Sequence, residues 1–124
     1  MKGNQFYSLG DNEQAIECYA RAIKLNPADP LNYSNRAMAN LKIENYEMVV
    51  KDATKAIKLD PESIKAYHRR GKAHLAMDLV EKAILDFEFC ASRNPNDPEF
   101  LDCLSKSHER NDELMRERGD NETD

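Results

Sequence analysis

Two stretches of this chain concentrate basic side chains with no acidic residue among them. Residues 64–77 hold Lys65, Arg69, Arg70 and Lys72, and residues 31–43 hold Arg36 and Lys42. Such segments form either an anion-binding surface or two ordinary charged helices, and charge alone leaves both readings open. Other residue types that do chemistry are sparse. His68, His74 and His108 lack the i, i+4 spacing, with one another or with Cys18, Cys90 or Cys103, that a helical metal site uses. No metal is therefore expected. Gly71-Lys72 lacks the upstream glycine of a phosphate loop and falls inside a helical pattern. No serine or cysteine stands beside a base that could activate it, so no catalytic residue is expected. Cys90 reads as a core thiol. The sequence points away from an enzyme, and no cofactor is expected.

The elements that must position these cations are helical. Four glycines, no tryptophan and abundant Ala, Leu, Lys and Glu favour helix. With 124 residues, 40% apolar and 33% charged, the chain is long enough for one small globular domain. No apolar run approaches the length of a membrane span, and no secretory signal opens the sequence. Three cysteines, an odd number without tight pairing, read as reduced thiols. A cytoplasmic or nuclear monomer is expected. The net charge of −5 is unevenly spread: residues 1–98 carry 14 basic and 14 acidic side chains, and residues 99–124 carry 4 and 9. A neutral body with an acidic end argues against nucleic-acid binding, which needs a net basic footprint.

The chain repeats itself every 34 residues. Leu25-Asn26-Pro27, Leu59-Asp60-Pro61 and Arg93-Asn94-Pro95 recur at that spacing, as do Ala22-Ile23-Lys24 and Ala56-Ile57-Lys58, and Tyr33 and Tyr67. Within each unit, apolar residues step by three and four, which predicts paired helices over 31–43 and 46–59, then 64–77 and 80–93. Glu44-Asn45 supplies the short turn of the first pair, and Pro61 helps to end its second helix.

This pattern resembles the tetratricopeptide repeat family. Gly3, Ala37 and Gly71 match its small residue at the helix crossing. Ala15 and Ala83 match its second-helix alanine, with the aromatic Tyr19 or Phe87 four residues on. Ala22, Ala56 and Cys90 match the next small position, and Pro27, Pro61 and Pro95 the closing proline. Val49 and Ala53 depart from the alanine and the aromatic, an exchange that preserves volume. The resemblance implies an all-α, right-handed superhelix of three repeats, at about 1–29, 30–63 and 64–97. A capping helix over 98–118 covers the last repeat, so the domain spans 1–118. Residues 119–124 are expected to be an acidic disordered tail.

The resemblance also implies a site. First helices of such repeats line a concave face, on which Asn4, Asn35, Lys65 and Arg69 fall at the positions of the carboxylate clamp of cochaperones. That clamp holds the C-terminal Glu-Glu-Val-Asp of cytosolic heat-shock chaperones of the 90- and 70-kDa classes. Asparagine amides donate without adding charge, and lysine and arginine add field and further donors, as two carboxylates of a terminal aspartate require. Ser34, Met38, Lys42, His68 and Lys72 are expected to face the same groove, with Lys42 and Lys72 meeting upstream glutamates and Met38 the valine. The clamp's first lysine would fall one position ahead of Met1, so a piece of a longer protein is expected. The run 64–70 is similar to the repeats of tetratricopeptide-containing serine/threonine phosphatases. The alternative is a scaffold that holds another partner or an internal segment, including one that inhibits an attached catalytic domain.

Overall fold

The computed structural model describes residues Leu9–Thr123 as helices α1 Leu9–Leu25, α2 Pro30–Lys42, α3 Tyr46–Leu59, α4 Ile64–Ala76, α5 Val80–Arg93 and α6 Pro98–Thr123. Asn4 and Gly3 lie outside the described residues. The helix pairs fall within a residue of the boundaries that apolar periodicity predicts, and the chain is an all-α stack of helical hairpins. α2 pairs with α3 and α4 with α5, and each hairpin packs on the next; α2 also meets α4, and α4 meets α6. Helices α2, α4 and α6 therefore line one face.

Local chemistry explains where the helices begin and end. Between repeats the chain turns the same way three times, with Asp29 N–H donating to Asn26 O, Ser63 N–H to Asp60 O and Asp97 N–H to Asn94 O at 3.3, 3.1 and 3.2 Å. The same three residues then cap the next helix. Their side-chain oxygens accept from the N–H of Leu31, Ala66 and Glu99. Within each hairpin the first helix closes in a Schellman turn. Glu44 N–H reaches Leu41 O and Asn45 N–H reaches Asn40 O; Asp78 and Leu79 do the same to Leu75 and His74. Glu44 (φ 62°) and Asp78 (φ 60°) hold the left-handed conformation that glycine usually takes there.

Small residues make the core. Ala37, Val49, Ala53, Ala56, Ala66 and Ala73 are fully buried, with Tyr33 beside them. Their size lets the helices approach closely. Gly71 shows the limit of this: a Cβ there would stand 2.6 Å from the ring of the fully buried Phe87. Only glycine fits under that ring.

One expectation is corrected. α6 continues through Thr123, where the sequence reading ends it at 118 and makes 119–124 a disordered tail. Nothing halts it: Gly119 is helical without a positive φ, and no proline follows Pro98. A helix already nucleated on the core extends at little cost per residue. Asp124 lies outside the described residues.

Candidate functional site

The four cations of α4 fall into two kinds. Arg70 is anchored: its Nη2 lies 2.8 Å from Asp86 Oδ1, and its Nη1 donates to Thr54 Oγ1 at 3.2 Å. The same buried carboxylate meets His74 Nδ1 at 2.9 Å. One period earlier, Arg36 donates to both oxygens of buried Asp52 at 2.9 and 2.8 Å. These bidentate pairs tie the first helix of each repeat to the second, so Arg36 and Arg70 are structural. Sequence reasoning missed them, although both members of each pair recur at 34 residues. Lys72 is also engaged, 3.3 Å from Glu99 Oε2 on α6.

Lys65 and Arg69 differ: among the described residues neither has a carboxylate partner. They lie one turn apart on α4 and so share a side of the helix. Lys65 is exposed. Arg69 reaches across to α2, where its Nη1 donates to Ser34 O at 2.8 Å and its Nη2 lies 3.2 Å from Met38 Sδ. Burial pulls its guanidinium below the ordinary value, with Tyr19 of α1 opposing the shift. A guanidinium always holds its proton, so what burial creates is a poorly hydrated cation held in place by a backbone carbonyl and a thioether. An arriving carboxylate would meet a fixed, unpaired charge.

The other expected site residues divide. Met38 is partly exposed beside Arg69. Asn35 is half-buried and, with the exposed Lys42, lines a depression between α1 and α2 that Asn12 and Tyr19 also border. Asn4 lies outside the described residues. Ser34 is corrected: it is buried and its hydroxyl donates to Leu31 O at 3.2 Å, so only its backbone carbonyl serves the site, by orienting Arg69. His68 and Lys72 each have a partner on α6. His68 turns towards α6, edge-on to Phe100 at 5.2 Å, with its Nε2 3.2 Å from Glu99 Oε2. The capping helix, invisible to repeat arithmetic, supplies the acid that engages both on the face that α2, α4 and α6 line.

Around Glu99 the electrostatics follow the contacts. The Lys72 hydrogen bond holds its carboxyl below the usual range. Burial, reinforced by Lys72, pushes the His68 imidazolium down, against the pull of Glu99. Burial raises the Cys103 thiol to about 11, with Glu99 adding to it, and the Cys90 thiol to about 12. Burial thus favours the protonated thiol at both positions, in keeping with the core role expected of Cys90.

Comparison with known proteins agrees with this architecture. The family described as "TPR repeat" matches residues 3–44, and that described as "Tetratricopeptide repeat" matches 32–63 and 64–97. Serine/threonine-protein phosphatase 5 of Rattus norvegicus is 38% identical over 98 residues, which is 79% of this chain and 20% of that protein. The chain thus spans about a fifth of the length of that curated relative. Among solved structures, the second TPR domain of human RPAP3, in complex with the HSP70 peptide SGPTIEEVD, is 42% identical with a TM-score of 0.77. The match covers 86% of this chain and 89% of that one. The first TPR of Spaghetti (RPAP3), bound to the HSP90 peptide SRMEEVD, is 31% identical, covers 87% and 88%, and has a TM-score of 0.79.

Proposed function

Because the chain belongs to the tetratricopeptide repeat family, whose domains are non-catalytic interaction modules, we propose that its concave face binds the free acidic C-terminus of heat-shock chaperones. The observation that carries this reading is the division of charge on α4. Arg70 and Lys72 have carboxylate partners within the chain, whereas Lys65 and Arg69 have none among the described residues. Two cations left without acids on one helix face suit an acidic ligand. The 70- and 90-kDa chaperone peptides seen with the RPAP3 domains both end in EEVD and supply that ligand's chemistry. In this reading Arg69, Lys65 and Asn35 hold the terminal carboxylates, with Asn4 as a fourth donor. Met38 offers an apolar contact to the valine, and Lys42 a charge to an upstream glutamate. The module itself catalyses nothing and acts in the cytoplasm, where those chaperones reside.

Titration calorimetry tests this with an EEVD-ended peptide and its C-terminally amidated copy. Amidation removes one carboxylate, and charge-assisted bonds contribute about 1.5–3 kcal/mol each, so affinity should fall by more than tenfold. Arg69→Ala should cost about 2–3 kcal/mol of binding for the same reason. Equal affinity for the free and amidated peptides would remove the clamp and leave a groove that reads some other partner.

A further inference from the structure

Where α6 crosses α4, three ligand-type atoms converge. His68 Nε2 lies 3.2 Å from Glu99 Oε2 and 3.8 Å from Cys103 Sγ, and the sulfur lies 3.7 Å from the same carboxylate oxygen. Glu99 and Cys103 are four residues apart and so share one face of α6, while His68 comes from the opposing helix. No pair of helical histidines is involved, which is why spacing within one helix gave no sign of this group. We propose that His68, Glu99 and Cys103 form a zinc-class metal site with a fourth position open to solvent, the Cys103 thiol giving up its proton to water as the ion binds.

The geometry fits a tetrahedral ion. With Zn–N and Zn–O bonds of about 2.0–2.1 Å and a Zn–S bond of about 2.3 Å, tetrahedral ligand atoms stand about 3.3–3.6 Å apart. The three observed separations bracket that range, so tenths of an ångström of side-chain movement complete the site. A mixed nitrogen, sulfur and oxygen set selects a borderline-soft ion over magnesium or calcium, which take oxygen. The ligands are also held. The Phe100 ring packs edge-on against the imidazole at 5.2 Å, and Cys103 is buried on the core side of α6. Glu99 closes the site from the solvent side, with about half of its side chain exposed. Among the described residues, Lys72 is the lysine paired with Glu99 Oε2, at 3.3 Å. Its side chain is 42% exposed and can swing into water when a divalent ion takes the carboxylate.

Cobalt(II) is the probe, because a four-coordinate thiolate site gives it intense visible bands and a thiolate-to-metal charge-transfer band. The full chain should bind one equivalent with both signatures, and zinc should displace it. Cys103→Ser should abolish the charge-transfer band, while Cys18→Ser, which alters the exposed thiol on α1, should leave it intact. Glu99→Gln changes an exposed side chain and keeps the fold. It should weaken zinc binding, followed by calorimetry, by at least the roughly 10–100-fold that the loss of a ligand's outer partner costs. Excess zinc should raise the melting temperature of the wild type and not that of Glu99→Gln. Absence of a charge-transfer band in the wild type would overturn the proposal. So would a band that survives in Cys103→Ser and vanishes in Cys18→Ser, or zinc affinity unchanged in Glu99→Gln.

Discussion

The second repeat (α2 and α3) and the third (α4 and α5) share one frame and fill it differently. Both carry the bidentate arginine–aspartate tie, Arg36 to Asp52 and Arg70 to Asp86. Both close the first helix with the same pair of backbone bonds around a left-handed residue. At the helix crossing they part. The third repeat sets Gly71 directly under the ring of Phe87, whereas the second places Ala37 and Ala53, both fully buried, at the equivalent positions. One turn away the balance reverses, with Val49 in the second repeat and Ala83 in the third, each fully buried. The arginine–aspartate tie and the turn bonds are thus kept residue by residue, while apolar volume is kept only as a total. Hydrogen bonds depend on direction; packing depends on filled space.

The hardest break in that comparison is at the crossing. Phe87→Ala should destabilise the chain by about 3–5 kcal/mol, because it empties a fully buried ring site. Gly71→Ala alone should cost about 1–3 kcal/mol, since the new methyl meets the ring, even though alanine favours helix over glycine by about 1 kcal/mol. On the Phe87→Ala background the sign should reverse. There the methyl occupies vacated space, and Gly71→Ala should stabilise, as the alanines of the second repeat do. Denaturant melts of the four chains give the coupling directly. Simple additivity of the two substitutions would mean that Gly71 is not constrained by the ring.

The buried aspartates come next. Removing one partner of a buried pair strands the other without its counter-charge, at a cost of about 3–5 kcal/mol. Asp86→Ala should fall near 3 kcal/mol, because Arg70 keeps a fifth of its side-chain surface in water. Asp52→Ala should cost less. Asp52 serves Arg36, whereas Asp86 serves Arg70 and the buried His74 together. Equal losses in the two melts would show that the His74 contact adds nothing to the third repeat.

Those same residues mark how far the fold and site were legible in the sequence. Period, helix limits and the Glu44-Asn45 turn followed from apolar spacing and proline positions, because they are local. The small-for-large exchange at Val49 and Ala53 followed from equivalence within the repeat. Arg36 and Arg70 read as members of a basic surface, since their acids lie sixteen residues away on another helix and nothing local links them. Ser34 read as a groove residue because spacing gives its side of the helix and not its hydroxyl's choice of the Leu31 carbonyl. The partner of His68 and Lys72 was hidden for a different reason: Glu99 belongs to α6, outside the repeating unit, and its contacts obey no period. The repeat predicts what repeats.

The smallest expected effect lies in the two left-handed residues. Holding a non-glycine residue there costs about 1–2 kcal/mol, and replacing it by glycine returns that strain less about 0.4–1 kcal/mol of added unfolded-state entropy. Glu44→Gly should therefore stabilise by about 0.5–1 kcal/mol at neutral pH. Asp78→Gly relieves the same backbone but removes the acid that holds Arg110 of α6 through bonds of 3.0 and 2.8 Å, so its gain should be smaller. The pH dependence separates the two causes. Arg110 holds Asp78 below its ordinary carboxylate value, so the folded chain binds that proton less readily than the unfolded one. The stabilisation from the pair is present above the unfolded value and is lost as pH falls through the folded one. Backbone strain at Glu44 does not titrate. Asp78→Gly should therefore improve on going from neutral pH to about pH 3, measured by denaturant midpoints, relative both to wild type and to Glu44→Gly, which keeps the Asp78–Arg110 pair. A constant gap between the two glycine variants across that range would mean that the Arg110 contact does not tie α6 to the turn.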